Sequence, residues 1–97
     1  MKATPENKVK AQLIKVLNEL GCYHYPASAG AYSIGGIPDR VGCYKGKFFG
    51  CECKAPGKKP TALQVQQKQK IEAAGGAWFL IDGPESIENF KNWCGNI

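Results

Sequence analysis

The stretch GIPDRVGCYKGKFFGCECK, residues 36 to 54, restricts the fold more than any other part of the chain. Two largely apolar, strand-like runs flank Lys45-Gly46, where glycine supplies the positive φ that a tight hairpin turn needs. Lysine is a poorer occupant of the other turn position, so a two-residue and a four-residue loop both remain open. Either symmetric loop gives one pairing, in which Tyr44 faces Lys47, Cys43 faces Phe48 and Asp39 faces Glu52. A three-residue loop with a bulge would shift it. Opposed residues share a sheet face with β-carbons roughly 5 Å apart, and Lys54, two residues beyond Glu52, shares that face too. Two carboxylates and an amine therefore converge at one end of the hairpin. Opposed like charges destabilise a strand pair unless something neutralises them. A hard divalent cation does so through carboxylate oxygens, and Lys54 does so in a solvated ion-pair cluster at a sheet edge. The hairpin alone leaves both readings standing.

At 97 residues the chain is expected to form a single domain over 1–97, with one modest core. No apolar run approaches the ~20 residues that cross a bilayer. The opening MKATPENKVK has no apolar segment after its first lysine, so a cytoplasmic location is expected, with no membrane association. Five cysteines, at 22, 43, 51, 53 and 94, read as buried thiols in such a compartment. Cys51 and Cys53 are spaced C-x-C and His24 is the only histidine, so no second close pair completes a zinc site. The net charge of +5 favours an acidic partner, of which nucleic acid is the commonest, without establishing one.

Thr4 and Pro5 open a helix that Gly21 stops, with Val9, Leu13, Val16, Leu17 and Leu20 as its buried stripe. Glu6 lies at the N-terminal end of that inward face, where it either complements the helix dipole or joins a site. CYHYPAS suits a strand that Pro26 places at an edge, and AGAYSIGG is a glycine-containing loop able to approach a ligand closely. After the hairpin comes a basic turn, APGKKP. Thr61 and Gln64 then form a capping box for a helix to Ala74, with Leu63, Gln67, Ile71 and Ala74 facing inward and Gln64 adjoining. AWFLID reads as a buried strand, and Pro84 starts a last helix with Ile87, Phe90, Trp93 and Cys94 as its stripe. The order helix, three strands, helix, strand, helix predicts an α/β fold, a mixed sheet flanked by helices.

Glu6 on the first helix, Pro38-Asp39 opening the second strand and Glu52-Cys53-Lys54 on the third resemble the PD-(D/E)XK nuclease superfamily. More narrowly, GGIPDR, ECKAPGKKPTALQ and AAGG resemble the VRR-NUC family, the virus-type replication-repair nucleases. There a G-x-P-D strand and an E-x-K strand precede a basic loop, and a Ser/Thr-x-x-Gln opens the next helix. The likeness runs from Glu6 to the strand at 77–82. Thr61 stands where serine is common, and Cys53 where an aliphatic residue is usual. The resemblance implies a restriction-endonuclease-like αβββαβ core and a Mg²⁺- or Mn²⁺-dependent deoxyribonuclease. Asp39, Glu52 and the Cys53 backbone carbonyl would be metal ligands, and Glu6 would act through a water or on a second ion. Lys54 would orient the attacking water, and Gln64 would orient the lysine or a phosphate.

Lys58 and Lys59 after the ECK strand, Lys45 and Lys47 at the hairpin tip, Arg40, and Tyr32 as a base-stacking ring are candidate DNA contacts. The tip lysines read equally as solubilising charges. Small stand-alone members of this kind imply a homodimer that cuts branched DNA such as four-way (Holliday) junctions, in a phage or similar setting, where paired sites match a two-fold substrate. The alternatives are a catalytically inactive nucleic-acid-binding module on a nuclease-like fold, a small interaction domain with a surface charge cluster, and a nuclease of another specificity.

Overall fold

The computed structural model describes residues 3–27 and 34–97. Seven elements follow in the expected order: α1 (Pro5–Leu20), β1 (Tyr23–Pro26), β2 (Arg40–Tyr44), β3 (Lys47–Cys53), α2 (Ala62–Ala73), β4 (Ala77–Ile81) and α3 (Pro84–Gly95). The strands form one sheet in the order β1-β2-β3-β4. β1 to β3 are antiparallel, and β4 joins β3 in parallel through the α2 crossover. The sheet is mixed, as the sequence predicts, with β1 and its Pro26 at an edge.

The hairpin turns on two residues. Lys45 and Gly46 both have positive φ, 48° and 84°, the combination whose twist matches that of the flanking strands. Tyr44 pairs with Lys47, Cys43 with Phe48 and Arg40 with Cys51, the register read from the sequence. Asp39 does not open the strand but stands one residue ahead of it. Hydrogen-bonded pairs alternate along an antiparallel ladder, and the next such pair would join Pro38 to Cys53. Pro38 has no N–H to give. The Cys53 N–H instead donates to Oδ2 of Asp39 at 2.9 Å, so the P-D dipeptide ends the ladder and turns a carboxylate into the gap.

The core lies on one face of the sheet, where Val9, Leu13 and Leu17 of α1 and Ile87, Phe90 and Cys94 of α3 close over Phe49, Cys51, Cys53 and Ile81. Phe90 meets Phe49 and Phe79 edge-on at 5.0 Å each. The α1 and α3 stripes are those expected. Thr4 accepts from the Asn7 amide at 3.1 Å, and Gly21 closes α1 in the left-handed region.

The opposite face is thinner. α2 buries none of its residues fully, and Leu63, expected to face inward, is 54% exposed. Gln67 and Ile71 are half-buried and Ala74 is exposed. The reason is what lies beneath: β3 offers Gly50 and Glu52 to most of the helix, with Phe48 only near its C-terminal end, and Pro38 already packs over Gly50, where an added Cβ would meet Pro38 Cγ at 2.7 Å. The first turn of α2 rests on Gly36, where any side chain would overlap the Leu63 carbonyl group.

Gly36 and Gly57 have nearly equal positive φ, 83° and 80°, but nothing lies near Gly57. Urea unfolding of the two alanine variants should therefore separate backbone strain from overlap. Gly57→Ala should cost about 1 kcal/mol, and Gly36→Ala at least about 2 kcal/mol more. Equal losses would show that α2 shifts freely off the loop.

Candidate active site

The end of the sheet where β2 and β3 part carries the acidic residues. Glu52 projects from β3 toward α2 and is 4% exposed, the one charged residue among the buried ones described. Its Oε2 accepts from Gln64 Nε2 at 2.8 Å and lies 3.9 Å from Lys54 Nζ. Its Oε1 is buried without any hydrogen-bond partner, a costly state for a carboxylate oxygen. Burial, then the neighbouring Asp39 charge, pushes the Glu52 carboxyl up to about 7, against the pull of Lys54.

Gln64 serves two structures at once. Its Oε1 accepts from the Thr61 amide at 2.8 Å while the Gln64 amide donates to Thr61 Oγ1 at 3.2 Å, completing the capping box. The same side chain's Nε2 holds Glu52. The helix cap thus fixes the carboxylate's orientation, and the helix rests on the GG loop that leads into Pro38-Asp39.

Glu6 lies at the N-terminal end of α1, ion-paired to Lys10 at 3.3 Å. Lys10, which the sequence reading passed over, lines a cavity of about 270 Å³ with Asp39, Arg40, Cys53 and the apolar Leu13, Ile14, Pro26 and Ala27. Its spacing one turn after Glu6 was the available signal. Its ammonium is held above its ordinary pKa: burial opposes this, and Asp39 with Glu6 outweighs burial. Lys58 and Lys59 are exposed on the loop after β3. Lys45 and Lys47 stand at the far end of the hairpin, Lys47 five strand residues from Glu52, or about 17 Å, and Lys45 packs over the Tyr44 ring. Tyr32 falls outside the described residues.

The cysteines are free thiols. Burial pushes Cys53 up to about 12 and Cys22 up to about 11, and Cys51 well above its usual value. Such thiols stay protonated and poor as metal ligands. Among the described residues no three His, Cys, Asp or Glu side chains gather on one point. What the site offers is a pair of hard carboxylates, one with an orphaned oxygen. That set suits Mg²⁺ or Mn²⁺, which Mg²⁺ in particular takes with one or two carboxylates and several waters.

Against known proteins, the chain is 31% identical over 87 residues to "Putative nuclease p44" of Acyrthosiphon pisum secondary endosymbiont phage 1, spanning 88% of this chain and 90% of that one. By that likeness the chain belongs to the family of this phage protein. A solved VRR_NUC domain superposes with a TM-score of 0.79 at 21% identity, covering 93% of this chain and 97% of its own, which establishes the VRR-NUC fold. No protein-family model matches the sequence. No helix among the described residues is long and apolar enough to cross a membrane.

Because Glu52 binds its proton more tightly folded than unfolded, it stabilises the metal-free protein fully below its ordinary pKa of 4.5. That contribution is lost as pH rises toward about 7. Unfolding free energy without divalent ions should fall by roughly 2–3 kcal/mol across that window from this group. Glu52→Gln should flatten that part of the profile. An unchanged slope in the variant would assign the pH dependence to other groups.

Proposed function

We propose that this protein is a VRR-NUC nuclease, a metal-dependent DNA endonuclease that hydrolyses phosphodiester bonds in branched DNA, acting as a homodimer. The observation that carries the catalytic reading is the orphaned, buried Glu52 Oε1 in a carboxylate held between Gln64 and Lys54 beside Asp39. A purely structural ion pair gains nothing from leaving a buried carboxylate oxygen without a partner. The phage relative's designation as a nuclease supports the same reading.

Asp39 and Glu52 would hold Mg²⁺ or Mn²⁺, with the Cys53 carbonyl as a further ligand. The ion would neutralise charge on the phosphate and make a water easier to deprotonate. Glu52 must give up its proton to ligate, so binding is coupled to proton release. Gln64 keeps the Glu52 carboxylate in one orientation, which limits the rearrangement needed on loading. Lys54, whose side chain is 18% exposed, reaches the open end of the site. There it orients the attacking water and offsets negative charge on the phosphate. Glu6 would hold a water or a second ion.

Lys58 and Lys59 would grip the backbone near the cut. Lys45 and Lys47, about 17 Å or more away, would meet only a distant arm. A branched substrate supplies such an arm, and a two-fold dimer would offer paired sites to a four-way junction. Contacts of this kind position the DNA without reading its sequence, and their affinity falls steeply with salt.

The test uses a labelled four-way junction and its matching linear duplex, each with Mg²⁺, Mn²⁺ or EDTA. Symmetric, metal-dependent nicks in the junction alone are expected. Lys54→Ala should lower the cutting rate on the order of a hundredfold or more while junction binding persists. Cutting of both substrates would retain the nuclease and remove the branch preference. Binding without cutting in any metal would leave an inactive binding module.

A further inference from the structure

Arg40 is the unusual charge in this molecule. It is half-buried, and none of the ion pairs among the described residues includes it. The undescribed stretch 28–33 contains no Asp or Glu that could reach it. Its guanidinium Nη1 bonds His24 Nδ1 at 2.9 Å, and His24 Nε2 bonds Asn18 Oδ1 at 2.7 Å. Arginine only donates, so Nδ1 accepts and Nε2 carries the proton that is given to Asn18. Burial, then the Arg40 charge, holds the His24 pKa below its ordinary value and keeps the ring in that neutral form. A relay from α1 through β1 thus fixes a guanidinium whose other donors find no acceptor among the described residues.

Arg40 lines the cavity of about 270 Å³ between α1 and the ends of β1 and β2, together with Lys10 and Asp39. The cavity has two cations on its walls, an apolar floor from Leu13, Ile14 and Pro26, and the candidate catalytic carboxylate as part of its lining. A held, half-buried arginine without a carboxylate partner is a poor stability device, whereas its fork of donors matches phosphate oxygens.

We propose that this cavity is a subsite for a DNA backbone phosphate neighbouring the one that is cut, with Arg40 and Lys10 as its ligands and His24 as a positioning residue that aims Arg40. The proposal rests on the nuclease reading. The subsite lies on the α1 side of the sheet end, opposite the face that carries Gln64 and α2, so the strand would be gripped on both sides of the carboxylates. An apolar floor beneath the cations suits the sugar attached to that phosphate.

The experiment uses the full chain carrying Lys54→Ala, which should bind without cutting, and a fluorescent four-way junction. Single phosphates near the cleavage position are replaced in turn by neutral methylphosphonate, and affinity is read by anisotropy in EDTA. At one position the replacement should weaken binding about tenfold. Adding Arg40→Met should lower affinity by a similar factor and make the same replacement nearly silent. Adding Lys10→Met should blunt it partly. His24→Ala should reproduce the Arg40→Met pattern, and His24→Gln, whose amide oxygen can accept the Arg40 bond, should restore the sensitivity.

If every replacement costs the parent and the Arg40→Met protein the same factor, Arg40 touches no phosphate and the proposal fails. If His24→Ala keeps full sensitivity, the positioning role fails. Failure of the nuclease reading shows separately, as absence of cutting by the unsubstituted protein with Mg²⁺ or Mn²⁺.

Discussion

A two-residue turn sets the geometry on which the rest depends. With Lys45 and Gly46 both at positive φ, β2 and β3 can pair in only one register. That register brings the Pro38-Asp39 dipeptide to the end of β3 at Glu52 and Cys53. A one-residue slip would turn Glu52 into the hydrophobic core and Cys51 or Cys53 toward α2. Phe49, Cys51 and Cys53 are all buried against α1 and α3, so the core penalises any such slip. The register of the site and the packing of the core are therefore one constraint. Pro38 adds the last element: with no N–H to give to the Cys53 carbonyl it ends the ladder, and the Cys53 amide is taken by the Asp39 carboxylate, which it anchors.

The hairpin delivers Glu52 to a place where a carboxylate is expensive. Its burial raises its pKa toward neutrality, and one oxygen goes without a partner. The structure offsets part of that cost locally, through Gln64 and Lys54. Gln64 does so while capping α2, which makes the thin helix layer and the site mutually dependent. α2 has little apolar contact of its own, with Leu63 exposed and its first turn seated on Gly36. Its position is fixed largely by the cap and the loop that also bound the site. Natural folds commonly tolerate such local strain where function needs it.

Much of this was legible in the sequence because it is governed by local rules. Caps at Thr4 and Thr61, the stop at Gly21, the stripes of α1 and α3 and the hairpin register all follow from residues near one another in the chain. The candidate cluster of Asp39, Glu52, Lys54 and Gln64 followed from that register and the motif. What escaped depended on contacts between distant segments. The α2 stripe misled because its periodicity says nothing of Pro38 covering Gly50 first. Lys10 looked like one more lysine on a basic helix, and its cavity exists only once α1 lies beside Pro26 and Asp39. His24 was weighed only as a metal ligand and set aside for want of a second close pair; its bonds to Asn18 and Arg40 escaped because they join three elements.

The two faces of the sheet end divide the work by the kind of support each can give. On the α2 side a polar chain of Thr61, Gln64, Glu52 and Lys54 runs from the start of a helix that contributes little apolar packing to the one buried carboxylate. On the α1 side the fold is well packed, and a second chain of Asn18, His24 and Arg40 rests against that firmer base. Asp39 joins them, with its carboxylate on the Cys53 amide and its charge felt by both Glu52 and Lys10. On the proposed reading, Glu52 would exchange its proton for a cation on the more yielding layer. On the same reading, Arg40 would hold a backbone phosphate from the firmer one. The distribution of core across the sheet would in that sense already be a distribution of tasks.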